Sequence, residues 1–103
     1  MSKLSNEERE RLAASLRAEL SRGDCLFVVR IGATDSSYKI RLYAIHGDLP
    51  VWLTGQAARL LGFRRSGNDM IVPKPGYSVT QYIAEALGQA LYGDHRALLY
   101  SEL

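Results

Sequence analysis

The stretch from Tyr77 to Gly93, YSVTQYIAEALGQALYG, constrains the fold more than any other part of the chain, because both its ends are marked and its apolar residues keep helical spacing. Ser78 followed three residues later by Gln81 is a capping box, in which the hydroxyl accepts an orphan amide of the first turn and the glutamine reaches back. Tyr77 and Tyr82 stand at hydrophobic-staple spacing, which fixes the angle at which the chain enters the helix. Val79, Tyr82, Ile83, Ala86, Leu87, Ala90 and Leu91 predict one buried face, and Gly93 stands where a left-handed C-terminal residue is wanted. Such a face must be covered by other elements.

The upstream chain supplies them. Ser5 and Glu8 form another capping box, Leu12, Leu16 and Leu20 form a narrow apolar stripe, and Gly23 ends the predicted helix near Arg22. Cys25 to Ile31, CLFVVRI, and Tyr38 to Ile45, YKIRLYAI, have the β-branched and aromatic content of strands, and GATDSS between them is turn chemistry. The two are expected to pair as an antiparallel hairpin. With Ile31 opposite Tyr38, the core face carries Cys25, Phe27, Val29, Ile31, Tyr38, Ile40, Leu42 and Ala44. The other face then carries Leu26, Val28, Arg30, Lys39, Arg41 and Tyr43.

After a turn at Gly47, Asp48 and Pro50, Val51 to Leu53 reads as a short strand. Thr54 caps a short helix to Leu61, with Ala57, Ala58, Leu60 and Leu61 buried and Gly62 as its stop. Arg64 to Asp69 reads as a polar turn, Met70 to Val72 as a brief strand halted by Pro73, and the tail after Gly93 as an apolar segment that packs back or fills an interface. The expected class is α+β, in a single domain over residues 1–103. It consists of a small antiparallel sheet of three or four strands with N-terminal, short middle and C-terminal helices, in the order α-β-β-β-α-β-α.

From Arg30 to Gly93 the chain resembles a group of small uncharacterised proteins of bacteriophages, prophages and other mobile elements. The residues that carry the likeness are Arg30, Lys39, Ile40, Leu42 to Ile45, Leu53 and Thr54, Ala58 to Gly62, Gly76, and Leu87 to Gly93. The chain departs from that pattern in two loops. Thr34, Asp35 and Ser36 replace a Ser-Gly-Met turn, and Gly76, Tyr77 and Ser78 replace Gly-Met-Asp. The resemblance implies a mobile-element context and a shared fold, and it implies no reaction.

Composition narrows the function classes. At 47% hydrophobic and 23% charged residues the chain belongs with folded domains, and 13 basic against 11 acidic residues give a net charge of +2, too small to demand a nucleic-acid partner. No stretch approaches the roughly 20 apolar residues that span a bilayer, so no membrane partner and a cytoplasmic location are expected, in a bacterial host as the resemblance implies. His46, His95 and the single Cys25 lack metal-ligand spacing. No nucleophile has a histidine and orienting acid beside it, and no glycine-rich loop links a strand to a helix. We therefore expect no catalytic residues, metal or cofactor. LTGQAARLLGF is similar to the first helix of a helix-turn-helix, but RRSGNDMIVP supplies no recognition helix after it.

What is left is basic and aromatic surface. Arg30, Lys39, Arg41 and Tyr43 form one candidate binding cluster, and Arg59, Arg64, Arg65 and Lys74 the other. These residue types anchor protein interfaces, and the same set could stack bases and hold phosphates. The expected function is a non-catalytic binding protein that occupies a surface of a host protein or nucleoprotein complex, as an anti-CRISPR-like inhibitor of host defence would. The alternative is a small nucleic-acid-binding module. The first helix or the tail could also support a homodimer.

Overall fold

A computed structural model describes residues 4–22, 26–93 and 100–102. The chain runs α1 (Asn6–Arg22), β1 (Leu26–Ala33), β2 (Ser37–His46), β3 (Leu49–Trp52), α2 (Thr54–Leu61), β4 (Arg64–Ser66), β5 (Asp69–Pro73), α3 (Val79–Tyr92) and β6 (Tyr100–Glu102). The α+β class, the three helices and the antiparallel hairpin are as the sequence predicts, and the sheet is wider than expected. RRSGND is not simply a turn: Arg64–Ser66 and the residues from Asp69 pair as an antiparallel hairpin about Gly67, whose φ is +62°. This hairpin stands where a helix-turn-helix would need its recognition helix. In the tail, Tyr100–Glu102 runs parallel to β1.

The sheet order is β4-β5-β2-β1-β6, with β3 also on β2. β2 is long enough to take two partners on one side. Its first half pairs with β5 and its second half with β3. Between them, the start of α2 meets β2 at Leu42, whose amide donates to Thr54 Oγ1 at 3.0 Å and whose carbonyl accepts from Leu53 N at 2.9 Å. The expected capping role of Thr54 is therefore corrected. Leu53 takes the cap position without a side-chain hydrogen bond, and the buried Thr54 hydroxyl fastens the helix to the sheet.

All three helices share one core with a single face of the sheet. Leu16 of α1, Ala57, Ala58 and Leu60 of α2, and Ile83 and Leu87 of α3 pack with Leu26, Val28, Ile40, Leu42, Ala44, Met70 and Val72 of the strands. The Leu12, Leu16, Leu20 stripe of α1 is engaged within the chain's own core. The Ser5 capping box forms in both directions, with Glu8 N donating to Ser5 Oγ and Ser5 N to Glu8 Oε1, and at α3 Gln81 N donates to the cap hydroxyl of Ser78. Tyr77 and Tyr82 meet edge to face at 6.2 Å. Gly93 ends α3 at φ +72°, a conformation that glycine adopts without steric cost. The buried face of α3 is rotated from the expected one. Thr80, Ala84 and Gly88 are buried and Ala90 is exposed.

The larger correction concerns β1. Leu26 stands opposite Ala44, Val28 opposite Leu42 and Arg30 opposite Ile40. A bulge at Ile31 follows, after which Gly32 pairs with Lys39 and Ala33 with Tyr38. This register differs by one residue from the expected Ile31–Tyr38 pairing, and a one-residue slip moves every side chain of a strand to the other face. The core side of β1 is thus Leu26 and Val28, while Phe27 and Val29 lie on the face away from the helices. Cys25 and Gly23 lie outside the described residues.

Candidate binding face

The register of β1 builds a surface that the sequence did not announce. Phe27, Tyr43 and Trp52 occupy directly paired positions on β1, β2 and β3, so three aromatic rings form a row across three adjacent strands. The rings of Phe27 and Tyr43 stack at 5.0 Å with 12° between their planes, and Tyr43 and Trp52 are tilted at 5.2 Å. Packing among the three rings orients the outermost, Trp52, which remains 55% exposed. No helix of the described residues covers this row.

The next row toward the hairpin turn holds Val29, Arg41 and Asp69. The Arg41 guanidinium donates to Asp69 Oδ1, and Asp69 is nearly buried. This pair fixes the Arg41 head beside the aromatic row. Beyond it, Lys39, Ile71 and Arg64 follow one another across β2, β5 and β4. The face is therefore graded, with aromatics at the β3 end and cations at the β4 edge.

The eight candidate binding residues are divided by the structure. Lys39, Arg41 and Tyr43 share the helix-free face, as expected. Arg30 does not: paired with Ile40, it belongs to the helix side, where its guanidinium lies 5.1 Å from the centre of the Tyr38 ring. Lys74 approaches the same ring at 5.2 Å. Both cations thus serve a cation–π contact around Tyr38. Arg59 is separated from Arg64 and Arg65, facing Glu8 of α1 at 3.6 Å. Arg65 donates to the Gly67 carbonyl at 3.2 Å and reaches over Gly55 at the start of α2, where a Cβ in place of the glycine hydrogen would lie 3.1 Å from its Nη1.

Two clefts open along this face. One, of about 340 Å³, is lined by Arg41, Trp52, Thr54, Gly55, Arg65 and Asn68 at the junction of β2, β3 and α2. The other, of about 500 Å³, lies between the β1–β2 turn and β4. Phe27 and Trp52 are the members of this face that sequence reasoning missed. Trp52 could have been found as a large aromatic beside a proline turn; Phe27 could not, because it sits in a run that is apolar in both strand phases.

The histidine at the end of β2 has a structural place. His46 Nε2 lies 2.9 Å from the Glu19 carbonyl, to which it donates, and its Nδ1 lies 3.6 Å from the Glu19 carboxylate. It satisfies a carbonyl of the last turn of α1. In the same way, Arg17 Nη1 donates to the Leu91 carbonyl at the end of α3, at 2.8 Å. Among the described residues no group of three His, Cys, Asp or Glu side chains could hold a metal ion, and no helix is long and apolar enough to cross a membrane.

No protein-family model matches the chain, and neither a curated protein nor a solved structure matches it.

Proposed function

We propose that the chain is a non-catalytic binding protein whose working surface is the helix-free face of the sheet. The observation that carries this reading is the row Phe27–Tyr43–Trp52, with Trp52 held outward and Arg41 fixed beside it. An exposed tryptophan, a tyrosine and an ion-paired arginine in one patch have the composition of an interface centre. Such a protein acts by covering a surface of its partner. The likeness to mobile-element proteins suggests a bacterial host protein or nucleoprotein complex as that partner, in the cytoplasm, with inhibition of host defence as the concrete instance.

Affinity capture from a bacterial lysate, with and without nuclease, tests the reading. The chain should retain a defined protein in both conditions, and Trp52→Ala combined with Arg41→Glu should abolish retention. Retention unaffected by that double variant would refute the assignment of the face.

A nucleic-acid reading draws on a separate observation: Trp52 shares a cleft with Arg41 and Arg65, a stacking surface beside two cations. Capture lost on nuclease treatment, with binding that falls steeply as salt rises, would favour it over a protein partner.

A further inference from the structure

The cleft at the β4 edge differs in chemistry from the aromatic row. Its lining includes the cations Lys39 and Arg64, Arg65 with its head turned toward Gly55 and the Gly67 carbonyl, the hydroxyl residues Thr34, Ser36, Ser37, Tyr38 and Ser66, and no carboxylate. Lys39 and Arg64 stand on either side of Ile71 in one row across three strands, so their backbones are roughly 10 Å apart. That spacing suits two long side chains closing on one anion between them. Among the described residues, neither Lys39 nor Arg64 has an ion-pair partner.

The hydroxyl side is equally organised. Thr34 Oγ1 accepts the amides of Ser37 at 3.1 Å and Ser36 at 3.4 Å, and Thr34 N donates to the Ser37 carbonyl at 2.8 Å. Lys74 N donates to the Ser36 carbonyl at 2.9 Å, so the turn is also held from the far end of β5. With its oxygen accepting from two amides, the Thr34 hydroxyl keeps its proton to donate. Charged residues on an edge strand deter pairing with another sheet, but that role asks nothing of the three hydroxyls, Thr34, Ser36 and Ser37, at the facing turn. The nearby acids do not neutralise the cleft: Asp69 is taken by Arg41, and Asp35 is not among the lining residues.

We propose that this cleft binds a phosphate monoester, with Lys39 and Arg64 neutralising the phosphate and the Thr34–Ser37 turn donating to its oxygens. A monoester carries about −1.5 to −2 charges at neutral pH, against a single charge on a diester, and so is the better match for the two cations Lys39 and Arg64. The monoester could belong to a small molecule or to the end of a polynucleotide.

Amide NMR of the full chain, titrated with inorganic phosphate and with adenosine 5′-monophosphate, tests this. Saturable shifts should concentrate at Ser36, Ser37 and Arg64 to Ser66. Lys39→Gln and Arg64→Gln, both at exposed positions and checked for an unchanged fold by the same spectra, should each weaken binding about tenfold or more. Tighter binding of a 5′-phosphorylated oligonucleotide than of the mononucleotide would identify a polynucleotide end as the source, and equal binding a small molecule. Equal affinity for 5′-phosphorylated and 5′-hydroxyl oligonucleotides would overturn the proposal in favour of backbone diesters. Absence of saturable shifts at the turn and β4 would overturn it outright. The readout is independent of any protein captured on the aromatic row.

Discussion

The Leu42 amide donates to Thr54 Oγ1 at 3.0 Å, and the same hydroxyl faces the Leu42 carbonyl at 3.4 Å. This contact holds the first residue of α2 against the middle of β2, between the segments that pair with β3 and β5. It thereby sets the notch beside Trp52 and Arg41. Thr54→Val keeps the shape and leaves the Leu42 amide buried without its partner, which costs about 1–3 kcal/mol. Urea unfolding should show this loss, and Thr54→Ser should recover most of it.

Trp52 is the only tryptophan in the chain and is 55% exposed, so its fluorescence reports directly on the open face. In the free protein, acrylamide should quench it efficiently. A partner docked on the aromatic row should shift the emission to shorter wavelength and reduce quenching. Trp52→Ala should cost about 1 kcal/mol or less in stability, since the lost contact is chiefly the tilted stack on Tyr43.

Hydrogen bonds from Ser5, the backbone amide first and then the side chain, hold the Glu8 carboxyl below its ordinary value of 4.5, with Arg59 and Arg11 adding attraction. Its folded-state pKa is therefore below the unfolded one. The cap stabilises α1 above the ordinary carboxylate range, and this contribution is lost as pH falls through the depressed value. Amide exchange in the first turn of α1 should accelerate on acidification, and Glu8→Gln should remove most of that pH dependence.

Tyr77 donates its hydroxyl to Glu85 Oε1 at 2.7 Å, and this bond raises its pKa above the ordinary 10.0. The stabilising contribution is complete below the ordinary tyrosine range and is lost as pH rises through the raised value. In an ultraviolet titration Tyr77 should ionise above the ordinary tyrosine value. Tyr77→Phe should remove that transition and leave the edge-to-face contact with Tyr82.

Different parts of the chain were legible to different degrees, for local reasons. α3 could be read end to end, and the start of α1 as well, because serine caps, the Tyr77–Tyr82 staple and Gly93 act within a few residues of one another. Gly62, at φ +79°, marks the end of α2 by the same chemistry. β2 was also legible, since Ile40, Leu42 and Ala44 alternate with Lys39, Arg41 and Tyr43. In β1, CLFVVRI offers apolar residues in both phases, so periodicity could not choose between Phe27 and Val28 for the core. The bulge at Ile31, invisible in the pattern, absorbed the residue on which the expected register depended. Likewise Arg64 and Arg65 read as turn residues because a three-residue edge strand has no period to detect.

The sequence by itself determined the α+β class, both ends of α3, the start of α1, the glycine stop of α2, the β1–β2 hairpin and the basic residues of the surface, because each of these depends on neighbours close along the chain. Tertiary structure alone decided which face of β1 enters the core, and with it that Phe27, Tyr43 and Trp52 form a row. It also separated Arg30, Arg59 and Arg65 from Lys39, Arg41 and Arg64, since Arg65 pairs with the core residue Met70 and reaches over α2. The physical reason is common to both outcomes: strand register is fixed by the total apolar area buried against the three helices, and a shift of one residue exchanges the two faces of a strand.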